Sequence, residues 1–264
     1  MRTFYILLFT LFFLSACSTT VSKSSQKRKA GDPMAAPAEI LANGMSFMIY
    51  KRDLLKLTVK YNTYDSALHN ISKAAFLQSF ATGAYFPLRI ITDDTVVSYK
   101  LYPLPDTTNK DVRSAVKYYG EVYNNYFKRE GELFPVVNFS DVNGNTYNNE
   151  TFKGKTVVLK FWFIHCGACV AEMPRLNELV KEYADHKEVL FLSLAYDTKE
   201  QLISFLKNTA FRYATIPVSE AFVLEDMKIN AFPTHMILKD GVITNMSNDA
   251  EELVAALHEA VPVK

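Results

Sequence analysis

Cys166 and Cys169 stand in the stretch Trp162-Phe163-Ile164-His165-Cys166-Gly167-Ala168-Cys169, which closes with Glu172-Met173-Pro174. Two thiols at this spacing suit reversible disulfide chemistry when they open a helix. Free N–H groups and the positive dipole end at a helix N-terminus favour thiolate over thiol, and Cys166 would sit there. Cys169 then lies one turn on and on the same face, placed to attack a mixed disulfide formed on Cys166. An imidazolium at His165 would stabilise the thiolate further, so a lowered pKa is expected for Cys166.

The chain has three cysteines, and Cys17 is the one left over. Arg2 precedes a run from Phe4 to Leu14 that is apolar apart from Thr10, and Leu14-Ser15-Ala16-Cys17 follows. About eleven such residues are too few to span a bilayer and match the core of a secretion signal. The tetrapeptide resembles the bacterial lipobox, which implies removal of residues 1–16 and lipidation of Cys17. A plain signal peptide or a short anchor helix is the alternative. Residues 17–38 are expected to be the lipidated cysteine and a flexible tether: Ser18 to Ala38 is rich in Ser, Thr, Lys, Ala and Pro and has no apolar period. Such a segment reaches roughly 25 Å. Lys27-Arg28-Lys29 reads as part of that solvated linker, with contact to anionic lipid as the other reading. A net charge of +1 gives no electrostatic reason to expect nucleic acid.

The elements that must position the cysteines follow from periodicity. Residues 39–130 are expected to form a smaller α+β domain. Leu55, Leu57, Val59 and Tyr61 alternate with polar residues and predict a half-buried strand. Leu68, Ile71, Ala75 and Ser79 predict a helix over 65–81, broken by Gly83 and Pro87. Ile90-Ile91 and Val97 to Leu101 predict a hairpin. Val112, Val116, Tyr119, Tyr123 and Tyr126 predict a helix over 110–128 whose tyrosine face packs on its own domain or the next. No chemical motif lies here, and docking, orientation or spacing stay open as its role.

From Gly131 the strand and helix signals alternate. Strands are expected at 136–139, 156–163, 189–195 and 213–217. Helices are expected over 167–184, bent at Pro174, over 198–208 and near 220–228. A hairpin of 234–238 with 242–245 and a last helix to 260, capped by Asp249, complete the pattern. This order predicts a mixed α/β sheet for residues 131–264. No internal repeat is visible.

Trp162-x-x-x-Cys166-x-x-Cys169, Glu172-Met173-Pro174 and the later Phe232-Pro233-Thr234 resemble the thioredoxin superfamily, and within it the TlpA/ResA-like membrane-tethered oxidoreductases. Gly131-x-x-x-Pro135-x-x-x-Phe139 fits the same branch, as does the additional helix and strand between Ala195 and Pro233. The resemblance covers the C-terminal half. It implies an α/β thioredoxin-like mixed sheet flanked by helices. It also implies that Cys166 is the attacking thiol and Cys169 the resolving one, with no cofactor beyond their redox-active disulfide. Pro233 matches the proline that follows a cis bond in this fold, presenting the backbone of Phe232 to a substrate strand. Glu172 matches an acid that lies near the cysteines, able to tune them or relay protons, with a solvated carboxylate as the alternative. Trp162 packs beneath the active-site loop, as a substrate-side residue or as core alone. Protein substrates bearing cysteines or disulfides, a membrane electron donor and a reductive direction are the implied partners and role, in the cell envelope.

Lys160 stands where thioredoxins carry a buried acid; its stem is expected to pack while the amine reaches solvent, and an inward amine, strained or partly neutral, is the alternative. Ala168 replaces a frequent proline between the cysteines. The runner-up function is Cu(I) binding or copper delivery, for which two thiolates with His165 or His235 form a soft-metal set. The copper-delivery proteins of this fold space their cysteines by three residues instead of two. A peroxiredoxin-type activity needs a Thr-x-x-Cys element, and Phe163 stands three residues before Cys166.

Overall fold

A computed structural model of the chain describes residues 29–263. The expected signal segment, Cys17 and most of the tether lie outside the described residues. Among those described, no helix is long and apolar enough to cross a membrane.

The first part holds α1 (Pro37–Ile40), α2 (Gly44–Leu54), β1 (Tyr61–Tyr64), α3 (Lys73–Ala81), β2 (Tyr85–Ile90), β3 (Val97–Pro103) and α4 (Lys110–Arg129). Its sheet runs β1-β3-β2, with β1 parallel and β2 antiparallel to β3. Phe47, Phe76, Phe80, Phe86 and Tyr99 fill its core without exposure. The hairpin and the long helix lie where the periodicity predicts them. Three expectations fail. Leu55 and Leu57 are buried, but the strand begins only at Tyr61. Helix α3 begins at Lys73, where Ser72 Oγ accepts the Ala75 N–H, and Leu68 has a positive φ of 69° that no helix tolerates. Pro87 lies inside β2 and breaks nothing, because β2 is an edge strand and needs no N–H there.

That edge is covered by the end of the expected tether. Gly31 N–H donates to the Ile91 carbonyl at 2.8 Å and Met34 N–H to that of Arg89 at 2.9 Å. Residues 31–38 are therefore part of the folded first unit, and pairing with an open sheet edge supplies the order that their composition does not.

The second part holds β4 (Asn138–Ser140), β5 (Thr146–Asn148), α5 (Asn149–Phe152), β6 (Thr156–Trp162), α6 (Gly167–Ala171), α7 (Met173–Glu182) and β7 (Val189–Ala195). It continues with α8 (Lys199–Leu206), β8 (Ala214–Pro217), a π-helical turn at Phe222–Asp226, β9 (Thr234–Lys239), β10 (Val242–Ser247) and α9 (Ala250–Ala260). A five-stranded sheet runs β10-β9-β6-β7-β8. Strands β6, β7 and β8 are parallel, and β9 is antiparallel to both β6 and β10. This is the mixed α/β sheet flanked by helices that the sequence predicts. Asp249 Oδ1 accepts the N–H groups of Glu251 and Glu252 and caps α9. Instead of one helix bent at Pro174, α6 and α7 separate at Glu172, and Pro174 falls in the first turn of α7, where a missing N–H costs nothing.

The two units meet along α4, α9 and β10. Gly131 N–H and Ile243 N–H exchange bonds with the Ile243 and Glu132 carbonyls at 2.8 and 2.9 Å, so the connecting segment extends the sheet edge at β10. Glu252, on α9 and almost fully buried, receives the Tyr123 hydroxyl from α4 and lies 3.1 Å from Lys51 Nζ of α2. Tyr123 thus packs against the next unit, as its place on the tyrosine face allows.

Candidate active site

Every residue of β6 is buried, the pattern of a central strand covered on both faces. Its side chains alternate. Val157, Leu159 and Phe161 enter one core, while Val158 and Trp162 face α7, α9 and the cysteines. After Trp162 the chain turns, and the Ile164 N–H donates to Asp197 Oδ2 at 2.8 Å, fastening the turn beside the end of β7.

Cys166 becomes the N-cap of α6, and its Sγ accepts the Cys169 N–H at 3.2 Å. The two cysteines form a disulfide, with Cα atoms 5.2 Å apart. Cys166 is 8% exposed and Cys169 not at all. His165, Gly167 and Ala168 beside them are exposed. Of the two cysteines, only Cys166 keeps any exposure.

Trp162 is fully buried, with ring centroids 5.5 Å from Phe205 and 6.0 Å from Phe211, in one cluster with both cysteines. Of the two readings of Trp162, the structure leaves support of the loop from beneath: a buried ring offers no face to a substrate. Phe232–Pro233 is a cis peptide, as the resemblance implies. Pro233 is buried and Phe232 half-buried. The Phe232 ring lies 5.4 Å from Phe163 and 5.7 Å from Tyr196, which stack on each other at 5.0 Å.

Under this surface lies a charged cluster. Lys160 does not reach solvent; it is fully buried and donates to Glu172 Oε1. His235, also fully buried, places Nε2 2.9 Å from the same oxygen, off the line of a straight hydrogen bond. Neighbouring strands explain the meeting, because Lys160 and His235 are direct partners across β6 and β9. Glu172 arrives from above, at the break between α6 and α7, three residues after Cys169. Burial raises its carboxyl, but His235 and Lys160 together outweigh that and hold it below the ordinary value. Burial lowers the Lys160 ammonium more than Glu172 restores it. The solvated-carboxylate alternative for Glu172 does not hold. This cluster can keep an anionic acceptor one helical turn beyond Cys169.

The sequence names each of these three residues but does not bring them together, since the β6–β9 register that joins them is a tertiary fact. His235, a candidate third ligand for Cu(I), is turned to Glu172. Among the described residues no three His, Cys, Asp or Glu side chains converge as a metal site.

The second part of the chain is similar to known proteins. The redoxin family profile matches residues 129–260. The thioredoxin-like protein YneN of Bacillus subtilis is 30% identical over 132 residues, which span 47% of this chain and 78% of that protein. The thiol-disulfide oxidoreductase ResA of Bacillus cereus is 27% identical over 128 residues, 46% of this chain and 74% of that protein. The thioredoxin domain of a thiol-disulfide oxidoreductase from Bacteroides vulgatus aligns with a TM-score of 0.46 at 23% identity, over 50% of this chain and 97% of that one. The chain belongs to the redoxin family and is a thioredoxin-like thiol–disulfide oxidoreductase.

Proposed function

We propose that this protein is an envelope lipoprotein that reduces disulfides in other proteins. Residues 1–16 direct export, Cys17 carries the lipid, and a short tether keeps the two-domain body near its membrane. The observation that carries the chemical part is the asymmetry of the two cysteines: Cys166, at the N-terminus of α6, keeps 8% of its surface exposed, and Cys169 keeps none.

In the reduced protein, the Cys166 thiolate attacks one sulfur of a substrate disulfide. A Cys166–substrate bond forms, and the other substrate sulfur leaves as a thiolate and takes a proton. The substrate strand lies beside Phe232 and Pro233. Cys169 then gives its proton toward Glu172 and attacks the Cys166 sulfur, forming the internal disulfide and releasing the second substrate thiolate. Two electrons have passed to the substrate, and a membrane-bound dithiol donor restores them. Lys160 and His235 keep Glu172 ionised, so it relays that proton rather than holding it.

Cys169→Ala in the full-length protein should trap substrates as mixed disulfides on Cys166, released by dithiothreitol. No adducts in cells that express the variant would defeat the scheme. Cys17→Ser should move the protein from the membrane fraction to the soluble one; unchanged membrane association would remove the lipid anchor from the account.

A further inference from the structure

The last helix of the first unit touches the segment that leads into β9. Tyr126 Oη lies 2.9 Å from Thr234 Oγ1. Thr234 Oγ1 in turn donates its proton to the Ala231 carbonyl at 2.7 Å. A hydroxyl has one proton to give, so Tyr126 is the donor in its bond to Thr234. Two hydroxyls in series, Tyr126 to Thr234 to Ala231, close the turn that holds Phe232 and Pro233. Burial raises the Tyr126 phenol to about 12, which keeps it a donor at neutral pH. Three residues on, Arg129 Nη1 donates to the Met227 carbonyl at 2.7 Å and fixes the start of the same segment.

Between these anchors lies a cavity of about 570 Å³ bordered by Tyr126, Arg129, Asp226, Lys228, Asn230 and Thr234. The segment is therefore held to α4 at discrete hydrogen-bonded points, with open space between them. Helix α4 is itself firmly seated, by close approach to α3 at Gly120 and by Tyr123 on Glu252. The Phe232 ring carries the constraint onward to Phe163, which stands three residues before Cys166.

We propose that Tyr126 is a positioning residue for substrate docking: through Thr234 it fixes the Phe232–Pro233 segment, so the first unit sets the affinity of the second for protein disulfides. This rests on the proposed docking of substrate beside Phe232 and Pro233. It gives residues 39–130 a part in the reaction without any contact with the sulfurs.

Tyr126→Phe in the full chain removes the donor and keeps the ring. Steady-state reduction of a disulfide-bonded protein such as insulin is compared with that of a small aromatic disulfide, and the potential of the Cys166–Cys169 couple is measured alongside. KM for the protein substrate should rise about three- to tenfold, the scale of one lost hydrogen bond. Its kcat, the small-disulfide rate and the potential should stay at wild-type values. Thr234→Val should raise the same KM, and the double variant should add nothing, since both substitutions break one chain. An unchanged protein-substrate KM in Tyr126→Phe overturns the inference. So does a matching loss with the small disulfide, which would mark general loosening. Wild-type protein that turns over neither disulfide overturns the proposed function, and this inference with it, before any variant is compared.

Discussion

Glu172 Oε1 lies 2.9 Å from His235 Nε2, and the same oxygen receives the buried ammonium of Lys160. One carboxylate thus faces two basic side chains from neighbouring strands. The lysine that replaces a buried acid in the central strand does not remove the acid from the site; the carboxylate is supplied from the helix instead.

Replacing Lys160 with Met keeps the stem and removes the charge. Glu172 is then left with His235 alone in a site that is largely dry. Breaking a buried pair from one side costs about 3–5 kcal/mol, and the surviving His235 places the expected loss near about 3. Lys160→Met with Glu172→Leu should recover only part of it, because the buried His235 then loses its acidic partner. Urea unfolding at neutral pH, read by the fluorescence of Trp162, checks both; a single variant as stable as wild type would refute the pairing.

Two buried carboxyls make opposite demands on pH. Glu172 is lowered on folding, so its contribution is complete above the ordinary value of 4.5 and is lost as pH falls through its folded value. Glu252 is raised, because burial outweighs Lys51 and Tyr123. The folded state keeps that proton longer, and stability drains away as pH climbs from 4.5 through the raised value. Between about pH 3 and pH 7, Glu172→Gln should therefore shrink the gain in stability and Glu252→Gln should enlarge it. Denaturant titrations across that range give the answer, and shifts of the same sign would contradict the assignment.

Gly120 sits inside α4, where alanine normally helps a helix by about 1 kcal/mol. Here a Cβ would stand 2.4 Å from the Phe80 carbonyl oxygen and 2.9 Å from Ala81 Cα. Both obstacles are backbone, so α4 must move away from α3. Overpacking of this kind costs about 1–3 kcal/mol, and the clash prevails over the propensity gain. Gly120→Ala should lower Tm; a raised Tm would mean that the helices are not so close.

Much of the second unit is legible in the sequence because its signals are local. Val189–Ala195 reads as a strand from its own residues, and Asp249 announces the cap of α9. Cys166 and Cys169 stand out by spacing, and Pro233 through the resemblance that Phe232-Pro233-Thr234 carries. The failures share a cause. Lys160 reads as a snorkelling side chain because its partner is twelve residues away on another element. Residues 31–38 read as tether because the edge of β2 that orders them is remote in sequence. Leu68 falls on a helical period by chance and sits in a turn, where Asp65 Oδ1 accepts the Ala67 and His69 N–H groups. Tyr126 belongs to a face that the sequence marks as packed, but its partner Thr234 is visible only once the units are docked.

The reduction potential of the Cys166–Cys169 couple tests the central claim most directly. The purified protein from residue 22 onward is equilibrated in glutathione or dithiothreitol buffers and its thiols are counted. A reductase predicts a value near that of thioredoxin, about −270 mV. A value near about −120 mV, that of a strong oxidant, would contradict it and assign the protein to disulfide formation.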